Sequence, residues 1–184
     1  MTTICKACTF DTDRLLVREW HLVSRGDWDR QDLPALVVEL MTEPVTRSLP
    51  APWQGEYTLA RATGWIADRD SEGATLIIIE RSTNQAVGLI ILFESSLESG
   101  TDGVDVRLGY LLAESAWGKG YASEASEGFV SWCRNKAAIR LVAGGVDPDN
   151  LASARVLEKN GFRPTTEQRS DSDGERIYEL KLRR

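Results

Sequence analysis

The sequence predicts a mixed α/β or α+β fold in which helices cover both faces of one sheet. Three observations carry this. Short apolar runs with period-two alternation recur along the chain, stripes of period three to four interrupt them, and the connections are polar. At 184 residues the chain amounts to about one domain, large enough to bury roughly 70% of the surface its unfolded form exposes. Residues 12–184 are read as that domain and residues 1–11 as a flexible N-terminal segment.

The elements follow in order. Residues 14–18 alternate around Leu15 and Val17 and read as a first strand. Residues 24–32 are a polar surface loop, with Trp20 and Trp28 at or near its ends. Residues 33–41 read as a helix that tolerates Pro34 in its first turn. Residues 44–54 hold three prolines and read as an irregular connection. Residues 56–69 form a second helix, with Leu59, Ala62, Thr63 and Ile66 on one face. Residues 75–80 and 87–94 are strongly apolar strands joined by a polar turn at 82–85, an antiparallel hairpin. In the strand at 104–112, Asp105, Arg107, Gly109 and Leu111 share one face, and Val106, Leu108, Tyr110 and Leu112 the other. After Gly118 the period lengthens: Ala122, Ala125, Ser126, Phe129, Val130 and Cys133 form the buried stripe of a helix. A strand at 139–146 follows, then a helix from Asn150 to Asn160-Gly161, and last strands at 162–165 and 177–182.

Composition narrows the function. Twenty-eight acids against 22 bases leave a net charge of −6, which disfavours a non-specific grip on nucleic acid or an anionic membrane. No run approaches the length of a membrane span, and the N-terminus lacks the apolar core of a signal peptide, so a cytoplasmic location is expected. Cys5 and Cys8 have the spacing of half a zinc site, with Cys133 and His21 to complete it. Reduced, apolar cysteines are the preferred reading, and no metal is expected.

The chemically informative stretch is Trp117-Gly118-Lys119-Gly120-Tyr121-Ala122, between a strand and a helix. Two glycines permit a tight turn that exposes successive amides. The helix beginning there adds unpaired donors and the positive end of its dipole. That combination suits a phosphate or pyrophosphate, and Lys119 would add a point charge. The segment is neither a Walker motif nor a dinucleotide turn. A plain glycine-rich helix start is the alternative. In the following helix Asn150 is a credible N-cap, and Ser153, on a stripe with Val156 and Leu157, points toward the protein body.

Three ordered motifs resemble the GNAT superfamily of acyl-CoA-dependent N-acetyltransferases, specifically its bacterial ribosomal-protein N-terminal acetyltransferase branch. They are Thr12-Asp13-Arg14-Leu15-Leu16-Val17-Arg18, then Leu108-Gly109-Tyr110-Leu111-Leu112 with Trp117 through Ala125, and Asn150-x-x-Ser153-x-x-Val156-Leu157-Glu158-Lys159-x-Gly161-Phe162. The resemblance implies a mostly antiparallel seven-stranded sheet with one parallel pair, containing Leu111 and Val142, splayed to admit a thioester. It implies acetyl-CoA as cofactor, with its diphosphate on the amides of Gly118, Lys119, Gly120, Tyr121 and Ala122. Trp117 stands where a Gln or Arg is usual. By the same resemblance the main chain of Tyr110, Leu111 and Leu112 would pair with pantetheine, Asn150 would contact it, and Ser153 would be the proton donor.

One departure matters. Arg107 occupies a position at which the branch often has Glu, so Asp105, Glu94 or no dedicated base remain open. Acyl transfer to an amine needs the neutral amine, and an alkyl ammonium titrates near 10, so a proton must leave to a carboxylate or through water. Trp20, Trp28, Trp53 and Trp65 lie in the half that, by resemblance, builds the acceptor pocket. Aromatic walls there suit an apolar or cationic acceptor. The expected activity is acetyl transfer from acetyl-CoA to a peptide or protein N-terminal amine or a small amine, by a monomer or homodimer. The alternative is a non-catalytic acyl-CoA-binding sensor, for which the Arg107 departure is the best support.

Overall fold

The computed structural model describes residues 4–23, 32–96, 103–165 and 174–182. Its centre is an eight-stranded sheet. In chain order the strands are β1 (Thr9–Asp11), β2 (Leu15–Glu19), β3 (Ala74–Glu80), β4 (Gln85–Ser96), β5 (Val104–Leu112), β6 (Ile139–Val146), β7 (Arg163–Pro164) and β8 (Arg176–Lys181). The spatial order is β1-β2-β3-β4-β5-β6-β8-β7, antiparallel except for the β5–β6 pair. The helices are α1 (Leu33–Leu40), α2 (Glu43–Thr46), α3 (Leu59–Glu72), α4 (Tyr121–Arg134) and α5 (Leu151–Lys159).

Strand alternation divides the core into two layers. Leu76, Ile78, Ile90, Leu92, Val106 and Leu108 pack with Phe129, Val130 and Cys133 of α4 and Leu157 of α5. From the opposite face, Ile77, Ile79, Leu89, Ile91 and Leu111 pack with Leu36, Val37 and Leu40 of α1 and Ala62, Trp65 and Ile66 of α3. Strand β3 lies between the two layers, which is why its run from Leu76 to Ile79 is apolar on both faces.

The eighth strand corrects the expectation of seven and of a flexible start. Residues 4–11 are a 3-10 turn (Ile4–Ala7) and strand β1, which pairs with β2. Phe10 lies against Gly128 of α4 so closely that a Cβ there would stand 2.5 Å from its ring. Cys5 and Cys8 are buried in the same core as Cys133, and all three thiols are free. Burial pushes the Cys133 thiol up to about 12 and raises those of Cys5 and Cys8, so all three stay protonated. His21 instead sits beside Asp70, and among the described residues no cluster of three His, Cys, Asp or Glu could hold a metal.

The proline-rich connection is also more ordered than read. Residues 44–54 contain most of α2 and a 3-10 turn, Ala51–Trp53, each with a proline in its first turn. Among the described residues no helix is long and apolar enough to cross a membrane.

Candidate active site: a cleft through the splayed strands

Strands β5 and β6 pair only from Val104↔Ile139 to Arg107↔Ala143, although β5 runs on to Leu112 and β6 to Val146. The two strands therefore part, held on their outer sides by β4 and β8. Ala113 N–H bonds to the Val87 carbonyl at 2.9 Å. The antiparallel alternation then turns the main-chain groups of Leu108, Tyr110 and Leu112 away from β4 and into the gap. A cleft of about 1030 Å³ passes through it. One end is walled by Gly118, Gly120, Ala122 and Ser123, the middle by Tyr110, Asn150 and Ser153, and the far end by Pro44, Leu49, Trp53 and Phe93.

The glycine turn has the geometry that phosphate recognition needs. Gly118 and Gly120 take φ of +72° and +82°, a region costly for any side chain, and a Cβ at Gly118 would meet nothing within 4 Å. The first internal bond at the start of α4 runs from Glu124 N–H to the Gly120 carbonyl (3.1 Å), leaving the amides of Tyr121, Ala122 and Ser123 without helical acceptors. Trp117 lies at the rim, about half exposed, its indole N–H donating to the Leu112 carbonyl at 2.9 Å. Lys119 does not line the cleft; its carbonyl accepts from the Arg14 guanidinium (2.9 Å).

Arg14, just ahead of β2, braces this turn. Glu124 accepts from the Thr12 hydroxyl (2.6 Å), the Arg14 main-chain N–H (2.9 Å) and the Arg14 Nε (2.6 Å). Burial alone would raise the Glu124 carboxyl, but these donors outweigh it and hold it below its usual 4.5. A depressed carboxylate stabilises the fold above its unfolded value and ceases to as pH falls through the folded value. Glu124→Gln is therefore expected to cost stability at neutral pH, with the gap from wild type closing below pH ~4.5. Urea unfolding at pH 7 and pH 3 checks this; an equal gap at both would contradict it.

On the α4 side of the gap, the Asn150 side chain accepts from Ser153 N–H (3.1 Å), which caps α5 and orients its first turn. The Tyr110 hydroxyl donates to the Ser153 carbonyl (3.3 Å), and burial pushes that phenol up to about 12. Tyr110 therefore pins α5 to β5 and stays protonated. Ser153 lines the cleft beside it.

The carboxylates fall otherwise than the sequence suggests. Glu94 shares its sheet face with Leu92 and accepts from the Cys5 main-chain N–H, on the side away from Phe93 and the far end of the cleft. It does not line the cleft, and strand parity is the reason. Asp105 lines a separate cavity with Ser95, Leu141 and Lys181. Two carboxylate residues line the cleft: Asp147, whose Oδ1 accepts from Asp149 N–H (2.8 Å), and, at the throat where β5 and β6 part, Glu175, which the sequence reading left unassigned ahead of its strand at 177–182. Its Oε2 accepts from Arg107 Nη2 at 2.9 Å, and it lines the cleft. Gly145 makes room for it: a Cβ there would lie 2.0 Å from Glu175 Oε2. The consecutive glycines 144 and 145 inside a strand were the available signal.

Of the four tryptophans expected to wall the acceptor pocket, Trp53 lines the cleft. Trp65 and Trp20 are buried behind it, Trp65 edge-on to Trp53 at 5.5 Å and Trp20 bonded to Asp70. Trp28 lies outside the described residues.

Comparison with known proteins agrees with this architecture. Residues 26–163 match the family model described as "Acetyltransferase (GNAT) domain". The Bacillus subtilis protein YkkB, itself uncharacterized, is 31% identical over 110 residues, 59% of this chain; the match spans 62% of that relative's length. Among solved structures, a GNAT-family acetyltransferase from Bacillus anthracis has a TM-score of 0.69 at 20% identity, covering 95% of this chain and 99% of that one. An acetyltransferase from Agrobacterium tumefaciens gives 0.65 at 23% identity, covering 98% of each chain. The aminoglycoside acetyltransferase AAC(6')-Ib, solved in complex with coenzyme A, gives 0.66 at 19% identity over 91% of this chain and 94% of that one.

Proposed function

The chain belongs to the GNAT acetyltransferase family, and from that premise we propose that it moves an acetyl group from acetyl-CoA to a primary amine. The acceptor class is either a peptide or protein N-terminal α-amine, as the resemblance to the ribosomal-protein branch implies, or a small amine. One observation carries the reading: the amide-lined turn, the gap between β5 and β6 and the aromatic wall belong to a single continuous cleft. The unit assigned to this activity extends back to Ile4, because β1 completes the sheet.

The residues present fit the coenzyme. The open space over Gly118 and the free amides of Tyr121, Ala122 and Ser123 suit a diphosphate at a helix start. The main chain of Tyr110 and Leu112 would pair with the pantetheine arm, and Asn150 keeps its amide N–H group for the same arm. When bound, acetyl-CoA supplies an acyl group already activated as a thioester.

The chain's own contribution is placement and proton handling. The Tyr110 N–H, directed into the gap beside Ser153, would be the donor for charge growing on the carbonyl oxygen, since the Leu112 N–H pairs with the pantetheine arm. Glu175 takes the proton from the acceptor ammonium, directly or through a water, and Arg107 holds its carboxylate at the throat. Ser153, which also lines the cleft, would relay a proton toward the leaving sulfur. A serine hydroxyl is a weak acid, so its share is smaller than that of approximation in the cleft. The non-catalytic alternative rested on Arg107 replacing an acid. Glu175, the residue just ahead of β8, returns a carboxylate to that side chain.

Thiol release from acetyl-CoA, measured against peptides of varied N-terminus, polyamines and aminated drugs, tests the assignment. Turnover with one class over the others is expected. Coenzyme binding without release of thiol across the whole panel would leave only the sensor.

A further inference from the structure

Behind the aromatic wall the described residues hold several buried donors that lack acceptors. Arg69 of α3 is 5% exposed; its Nη2 pairs with Glu72 at 2.7 Å, but its Nε and Nη1 have no partner. The Tyr57 hydroxyl and the Trp65 indole Nε1 are also buried and unpaired, and Thr75 Oγ1 on β3 is the remaining side-chain atom of this kind. The first three residues share one neighbourhood. The Trp65 ring lies 6.5 Å from the Tyr57 ring and 5.4 Å from the Arg69 guanidinium carbon. That carbon also stands 4.5 Å from the Trp53 centroid and 6.0 Å from that of Phe93. Trp53 and Phe93 line the acceptor end of the cleft, so the guanidinium sits one ring's thickness behind its wall.

Packing alone does not account for this. Ring faces attract a cation but offer no lone pair to donors in the guanidinium plane. A leucine or methionine at position 69 would fill the same space without burying a charge and two orphaned nitrogens. What the cluster lacks is a group that brings negative charge and several acceptor lone pairs. A carboxylate brings both, and its bonds to a guanidinium are of the strong, charge-assisted kind.

We propose that Arg69, Tyr57 and Trp65 form a carboxylate receptor beside the acceptor site, so that the preferred acceptor is an amine carrying a carboxylate remote from the reacting nitrogen. This rests on the transferase reading for what the carboxylate is attached to. The anion site itself does not.

Two measurements on the full chain separate those parts. In the first, sodium acetate is titrated at constant ionic strength and followed by tryptophan fluorescence. The wild type is expected to saturate, Arg69→Met to show no saturable response, and Tyr57→Phe to bind several-fold more weakly. In the second, amines bearing a carboxylate are compared with the same amines as carboxamides. The acid is expected to exceed the amide by about tenfold in kcat/KM in the wild type. The ratio should approach one in Arg69→Met, through KM and not kcat. If Arg69→Met does not fold, Tyr57→Phe, which removes one oxygen, decides. No saturable acetate response in the wild type, or the same response in wild type and Tyr57→Phe, overturns the receptor. Arg69-dependent acetate binding with no amine acetylated upholds the receptor and removes the transferase reading.

Discussion

Glutamate in place of Ser123 is expected to lower coenzyme A affinity by about ten- to hundredfold while leaving the fold as stable as wild type or slightly more so. Ser123 is the third residue of α4 and lines the amide end of the cleft. A carboxylate at that helix position favours the helix, since it faces the positive end of the dipole and can return to the capping amide. The gain is about 0.3–1 kcal/mol. Toward a bound diphosphate the same charge is repulsive, by roughly 1.5–3 kcal/mol at a separation near 6 Å and a dielectric between those of a protein surface and water. The two effects have opposite signs, so a misfolded variant cannot mimic the result. Titration calorimetry with coenzyme A, beside thermal unfolding, checks it. Added salt should shrink the affinity difference. Unchanged affinity would mean that the diphosphate lies elsewhere.

Glu175→Gln is expected to reduce kcat by about 10²-fold or more, the usual weight of a general base, with coenzyme affinity unchanged. Glutamine keeps the shape and still accepts a hydrogen bond from Arg107, so the loss isolates the ability to take a proton. Glu94→Gln and Asp105→Asn should leave kcat within about twofold, because neither carboxylate lines the cleft. Ser153→Ala should cost less than Glu175→Gln. Steady-state rates with a saturating amine measure all four. Wild-type kcat in Glu175→Gln would show that the proton leaves through water alone, and a larger loss in Ser153→Ala would invert the assigned roles.

Local chemistry was legible in the sequence, and long-range placement was not. The positive φ of Gly118 and Gly120 and the free amides after them follow from two glycines before a helical stripe, so the turn could be read residue by residue. The hairpin of β3 and β4 and the buried stripe of α4 were equally local. Helix α3 shifted from 56–69 to Leu59–Glu72 because Thr58, accepting from Arg61 N–H, sets its start. Strand β1 escaped because three residues carry no period; what orders them is the groove that Gly128 leaves for Phe10, a contact made far along the chain. Prolines at 44, 50 and 52 suggested irregularity, yet Pro44 and Pro52 stand in the first turns of α2 and of the 3-10 turn that build the cleft wall. Parity put Glu94 and Phe93 on opposite faces, but only the tertiary structure tells which face the cleft occupies. Glu175 reaches the throat because β8 lies beside β6, a strand order that no local pattern contains.

The central claim is that one cleft takes the coenzyme from the α4 amides through the parted strands. Backbone amide chemical shifts, followed while coenzyme A is titrated into the full chain, test it most directly. The account predicts the largest changes at Gly118, Gly120, Tyr121, Ala122 and Ser123, continuing along Tyr110 and Leu112. Saturable binding that leaves those amides unmoved and shifts another surface would contradict it.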